Sequence, residues 1–257
     1  MKTTTTYSLS RHSFPVRKRP RNHNLEQQAQ ALYKSWFVDF EPFKEELFND
    51  SELGRIPSSC RIIKLNELCT SITKGTTPTT LGFSFTKTGV PFVKVECISE
   101  DHTLEENKLA YISDKTNEVL SRSQIKQKDI LFTIAGSLGR FCFVPSNIVK
   151  ANTNQAVCII RVNSHVVPPD YIYSLFLGGY HLEYCTKNIQ QAVQANLSLG
   201  TLKNLPIVIP QKEKLVEYIN IIRPILLKSE QVKEEIKSLS AYRDELLPHL
   251  MNGTLTC

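Results

Sequence analysis

QAQALYKSWFVDFEPF, residues 28–43, starts as a helix, gathers Trp36, Phe37, Val38 and Phe40 around Asp39, and stops at Pro42. The helix is predicted from about 24 to 41. Asn24 has the side chain of an N-cap, and Leu25, Ala29, Leu32 and Trp36 recur as a heptad seam. So much aromatic surface at a helix end calls for a partner. A second helical pattern runs over 212–250, where Ile222, Ile225, Ser229, Val232, Ile236, Leu239, Arg243, Leu246 and Leu250 step by three and four. Pro224 predicts a start or kink there, and Pro248 with Gly253 predicts the end. Termini of a compact domain often lie close together. The two helices can therefore pair antiparallel as a coiled-coil stalk, with Trp36, Phe37 and Phe40 at its junction with the domain, near Ile219–Ile225. The alternative is a helix of an ordinary globular core.

Between these helices the pattern changes. GVPFVKVECI (89–98), DILFTIAG (129–136), RFCFVP (140–145) and AVCIIRV (156–162) are β-branched and aromatic runs between Gly, Pro, Asn and Ser. DYIYSLFLGGYHLEYCTKNI (170–189) reads as helix with a Gly-Gly interruption, and LKNLPIVIP (202–210) as a closing strand. The fold class is therefore α+β, with four regions: a tail over 1–23, a helical segment over 24–53, one mixed α/β domain over 54–210, and a long helix over 211–253.

The composition, 41% hydrophobic and 22% charged, is that of a globular protein. No apolar run approaches the ~18 residues of a membrane span, and no hydrophobic signal core follows Met1. Seven cysteines without a C-x-x-C pair suit a reducing, cytoplasmic setting. Cys69, Cys97, Cys142 and Cys158 are expected as small core residues. The net charge of +6 is misleading as an average, because residues 1–25 alone carry six basic groups and no acid. That tail reads as disordered and solvated, although VRKRPR could pass for a nuclear address. More telling are two blocks, 54–95 and 121–165, each with six basic groups against one acid. Brought together, they would form a phosphate-facing surface; apart, they are an ordinary mixed surface.

No catalytic constellation stands out. The chain lacks G-x-x-x-x-G-K-[ST], H-E-x-x-H and G-x-S-x-G. VPPDY (167–171) has Val167 where an adenine methyltransferase loop needs a polar residue before its prolines, so it reads as a turn before a helix. The E-x-K triplets at Glu106–Lys108 and Glu235–Lys237 lack the upstream acid of a nuclease metal site.

The opening stretch closely resembles a signature of the specificity subunits of type I restriction-modification systems. Other segments resemble that family in the same order: KGTTP (74–78), GVPFVKV (89–95), KDILFTIAGSLGR (128–140), TNQAV (153–157), LKNLPIVIP (202–210), and the helix ending in YRDELLPHLMNG (242–253). The resemblance covers about 24–253 with one target recognition domain, where a complete member has two. PQKEKL (210–215) departs from the family's usual Pro-Glu-Gln. The resemblance implies a non-catalytic reader of double-stranded DNA in host defence. It would bind half of a split target, dock methyltransferase subunits, and join a translocating nuclease subunit. S-adenosylmethionine, ATP and magnesium would belong to those partners, with no cofactor or metal in this chain. The DNA-facing residues implied are Lys74, Thr76, Thr77, Lys94, Lys128, Ser137, Arg140, Asn152, Asn154 and Gln155. The three amides have the geometry to read adenine, although Asn154-Gln155 is equally a structural turn. The partner or stalk interface implied is Trp36, Phe37, Phe40, Val232, Ile236, Leu239, Leu246 and Leu250, covered by a second copy or a separate half-subunit. The rival reading is a coiled-coil scaffold, or an inactive fragment, that no longer reads DNA.

Overall fold

A computed structural model of the chain describes residues 23–188 and 196–251. The predicted basic tail lies outside the described residues except for His23, as does Gly253.

Helix α1, His23–Phe37, ends four residues earlier than the pattern predicts. The amides of Val38 and Asp39 both bond to the Lys34 carbonyl, and Phe40 turns left-handed at φ 52°. That turn swings the Phe40 ring back onto Phe43 and Phe48, a gain in aromatic packing that outweighs the strain of a non-glycine residue at positive φ. Asn24 sits inside the helix, where its Oδ1 accepts from Gln28 Nε2 at 2.9 Å.

The hairpin β1 (Phe48–Ser51) and β2 (Gly54–Pro57) follows, then β3 (Arg61–Lys64) and β4 (Cys69–Lys74). After them come β5 (Val90–Val93), β6 (Ala110–Ile112), helix α2 (Asp114–Val119), β7 (Ile130–Thr133), β8 (Phe141–Phe143), β9 (Asn152–Thr153) and β10 (Val157–Val162). Helices α3 (Pro169–Leu177), α4 (Tyr180–Asn188) and α5 (Leu199–Lys203) precede β11 (Pro206–Ile209) and the long helix α6 (Lys212–Met251). Strands β4-β10-β7-β8 form an antiparallel sheet in that order. β11 pairs with β3, and β6-β5-β9 form a third sheet in which β5 and β9 are parallel.

The apolar runs in β7 and β10 do not alternate, because both faces of the central sheet are covered. Ile130, Phe132, Cys158 and Ile160 face the main core with α1, α3 and α6. Leu131, Val157 and Ile159 face a second core with Val93, Ile98 and Val144. A strand buried on both sides has no polar face to signal its period. Cys97, Cys142 and Cys158 are fully buried and Cys69 partly so; burial pushes the Cys142 thiol up to about 12.

The Gly-Gly interruption has two separate reasons. A Cβ on Gly178 would come within 2.5 Å of the Tyr33 ring of α1, and Gly179 takes φ 75° to start α4 in a new direction.

Helix α6 is continuous through Pro224, so it does not start there as the pattern allowed, and it runs past Pro248 to Met251, the last described residue. Each proline costs one helical bond, to the carbonyl of Asn220 or Asp244. Both of those residues are on the exposed side, where water can serve the carbonyl. Upstream of Pro224, Leu215, Tyr218, Ile219 and Ile222 hold the helix to the core. Helix α1 lies against this half in the opposite direction: Glu26 pairs with Lys233 at 2.9 Å, while Trp36 meets Tyr218 at 5.4 Å and the Lys214 ammonium at 5.9 Å. Phe37 packs edge-on against both Tyr171 and Tyr218. The far half of α6 is different, since Ile236, Leu239, Tyr242, Leu246 and Leu247 are all exposed. The Leu250 side chain lies outside the described residues, and Val232 is half-buried.

Candidate functional site

The register of the central sheet decides which loops meet. Lys74, the last residue of β4, lies opposite Cys158 at the start of β10, and Val157 lies opposite Thr133, the last residue of β7. Three connections therefore leave from one end of the sheet: the loop after Lys74, the 134–140 loop, and the 154–156 turn. A fourth joins them, because Val93 pairs in parallel with Thr153 and the chain after β5 exits beside that turn. The Leu197 amide also reaches this end, bonding to the Ile134 carbonyl at 2.9 Å.

Local chemistry holds this mouth in shape. The Gly75 amide bonds to the Asn154 carbonyl at 3.0 Å, and a Cβ on Gly75 would fall 1.7 Å from the Thr153 carbonyl oxygen. Only glycine allows that approach. Thr77 Oγ1 donates to Gln155 Oε1 at 2.5 Å, tying the first loop to the turn. Asn154 Oδ1 accepts from the Ala156 amide at 3.1 Å, as a turn asparagine does. Thr133 Oγ1 donates to the Ser137 carbonyl and accepts from the Arg140 amide at 2.9 Å, which closes the GSLGR loop.

Of the ten residues expected to face DNA, eight gather at this mouth: Lys74, Thr76, Thr77, Lys94, Ser137, Arg140, Asn154 and Gln155. Two do not. Asn152 is fully buried, and its amide is fully used. Its Nδ2 donates to Asn117 Oδ1 (2.9 Å) and the Leu120 carbonyl (3.1 Å), and its Oδ1 accepts from Ser123 Oγ (2.7 Å) and the Thr153 amide (2.9 Å). It is a structural residue and cannot reach a base. Lys128, in a left-handed turn at φ 65°, precedes β7 and so lies at the opposite end of the sheet.

The two basic blocks do not merge either. Arg61 and Lys64 belong to β3, on a different sheet. Arg161 points inward to Asp129, a buried carboxylate that it holds with two bonds of 2.8 and 2.7 Å. Lys150 pairs with Asp114. From both blocks, the mouth retains Lys74, Lys94 and Arg140. Two carboxylates that the sequence pattern did not reveal also lie there: Glu96 pairs with Lys94 at 2.7 Å and Glu100 with Arg140 at 3.1 Å. The Arg140–Glu100 contact spans forty positions, so no local pattern announces it.

Among the described residues, no group of His, Cys, Asp and Glu is placed to hold a metal ion, and no helix is long and apolar enough to cross a membrane. The two E-x-K triplets touch each other instead, through a 2.6 Å Lys237–Glu106 pair.

Residues 57–239 match the model of the type I restriction modification DNA specificity domain. The chain belongs to that specificity-domain family. It is 24% identical over 240 residues to the MjaIX type I restriction enzyme specificity subunit of Methanocaldococcus jannaschii, covering 93% of this chain and 54% of that protein. It is 22% identical over 165 residues to the EcoBI specificity subunit of Escherichia coli, covering 64% and 34%. The chain spans about half the length of the curated relatives it matches. Among solved structures, the S subunit from M. genitalium aligns with a TM-score of 0.56 at 17% identity, over 88% of this chain and 53% of that one. The HsdS subunit from Thermoanaerobacter tengcongensis aligns at 0.52 and 14%, over 91% and 52%. At these identities the structural likeness establishes the specificity-domain fold alone.

Proposed function

We propose that this chain is a non-catalytic DNA reader, a specificity subunit with one recognition domain that reads half of a bipartite target. The observation that carries this reading is that the matched residues, 57–239, contain all four connections that meet at the sheet end. The Gly75–Pro78 loop would offer amides and hydroxyls to phosphates, Lys74, Lys94 and Arg140 would supply charge, and Gln155 would supply an amide at a base edge. Methylation and cleavage would belong to partner subunits carrying S-adenosylmethionine, ATP and magnesium. Selection of bound duplexes from a random pool by the reconstituted complex tests this and names the target. In the same assay, Arg140→Ala weakens binding. If Arg140 meets a guanine, discrimination at that base falls by about 1–3 kcal/mol. Unchanged affinity and salt dependence would remove Arg140 from the interface.

The far half of α6 is the stalk in this reading. An apolar stripe of Ile236, Leu239, Tyr242, Leu246 and Leu247 left in water calls for a covering helix. A second copy crossing antiparallel would give a two-fold assembly with two recognition domains and an inverted-repeat target. Light scattering then reports a dimer at tens of micromolar, and Leu239→Lys with Leu246→Lys breaks it. A monomer under those conditions assigns the stripe to a separately encoded half or to the methyltransferase subunits.

A further inference from the structure

Of Lys74, Lys94 and Arg140 at the mouth, the last two are already engaged by carboxylates that lie mostly in solvent. Arg140 Nη2 meets Glu100 Oε1 at 3.1 Å, and the Glu100 side chain is 81% exposed. Lys94 meets Glu96 at 2.7 Å, with the Glu96 side chain 55% exposed. Exposed pairs of this kind contribute almost nothing to folding. The Lys94 ammonium holds the Glu96 carboxyl below the usual carboxylate range, so it is ionised at neutral pH. A phosphate approaching either cation must therefore displace a like-charged group.

The geometry points to a specificity device: we infer that Glu96 and Glu100 act as an electrostatic brake on sequence-independent DNA binding at this face. The inference rests on the DNA-reading assignment above. Non-specific affinity comes almost wholly from cation–phosphate attraction and counterion release. Two carboxylates at the mouth subtract from that attraction for every duplex alike. Hydrogen bonds to bases form only on the correct site, so the specific complex can survive a common penalty that takes binding to random duplex below useful occupancy.

Glu100 cannot simply swing aside with its loop. Lys233 of α6 donates to the Asp101 carbonyl at 2.5 Å while paired to Glu26, and Lys237 holds Glu106 at 2.6 Å. Between these anchors His102 is stacked on Phe141 at 4.0 Å, in a left-handed turn at φ 59°. Arg140 Nη1 also donates to the Ile98 carbonyl at 3.2 Å. The carboxylate is thus presented to Arg140 by a loop fastened to the core and to α6.

The test measures binding of the full chain to a random-sequence duplex over a salt series. The double variant Glu96→Gln, Glu100→Gln keeps hydrogen-bonding capacity but removes both charges. It is expected to bind random duplex about tenfold more tightly at low salt, with a log–log salt slope steeper by one to two, roughly 0.9 for each cation freed. Glu67→Gln makes the same kind of charge change just before β4, at the opposite end of the sheet, and leaves binding unchanged. Adding Arg140→Ala to the double variant cancels most of the gain. A wild-type chain that fails to bind while the double variant binds also supports the brake. Equal affinities for wild type and double variant, with Arg140→Ala still weaker, overturn the brake and leave the DNA face standing. Absence of salt-dependent binding in every variant overturns the DNA face and the brake with it.

Discussion

Trp36→Ala lowers the unfolding free energy by about 3–5 kcal/mol, the range for a large aromatic removed from a core. The side chain is only 6% exposed and sits where α1, the Glu41–Phe43 turn and α6 converge. It meets Phe43 edge-on at 6.3 Å, Tyr218 at 5.4 Å and Phe37 at 6.2 Å. Truncation leaves a cavity that cannot collapse easily, because its walls are fixed by other bonds. Tyr218 Oη is tied to Ser174 Oγ at 2.9 Å, and Ser174 Oγ to the Tyr171 carbonyl at 2.8 Å. Trp36→Phe keeps most of the apolar contact and loses much less. Denaturant titration by circular dichroism measures both, and an unchanged slope with a lower midpoint confirms that the native state is the one affected. A loss below about 1 kcal/mol would mean that Trp36 is a docking residue rather than a core residue.

Acid weakens the fold well before carboxylates titrate. His181 is 1% exposed among Phe132, Phe141 and Phe176, and neither ring nitrogen has a hydrogen-bond partner. Burial pushes its pKa down to about 3. His102, stacked on Phe141, is lowered to about 4 by burial and then by the Lys233 ammonium. Both rings are therefore neutral in the folded chain, while an unfolded histidine titrates near 6.5. Below pH 6.5 the unfolded state takes up protons that the folded state refuses, so stability falls as pH falls. It stops falling, for these groups, below their folded values. By pH 5 the loss is about 2 kcal/mol for each histidine, at 1.36 kcal/mol per unit. For a domain stabilised by about 5–15 kcal/mol in total, about 4 kcal/mol from the pair is a large share. Urea titrations at pH 7.5, 6 and 5 should show the decline, and His181→Phe should remove about half of it. Stability independent of pH across that window would mean that His181 is solvated.

Much of the fold was legible in the residues. The helix ending in Trp36, the runs that became β5, β7, β8 and β10, the broken helix at Gly178-Gly179 and the long C-terminal helix all follow from local pattern. The differences came from surroundings that local pattern does not show. The first helix stops early because Phe40 gains more from the core than from another helical bond. Pro224 and Pro248 stay helical because the carbonyls they leave open face water.

At the candidate site the same division holds. The sequence by itself determined the residue types that meet there: a glycine loop, hydroxyls, amides and an arginine loop, in family order. Tertiary structure decided which of them are available. Asn152 and Asn154 are two residues apart in one short stretch, yet strand pairing buries the first beneath Asn117 and Ser123 and leaves the second in the mouth. Lys128 and Arg140 flank the same strand, and an extended strand carries its two ends to opposite edges of the sheet. The pairing of Glu100 is invisible in one dimension, because charge pairing depends on distance in space and its cation lies forty positions away.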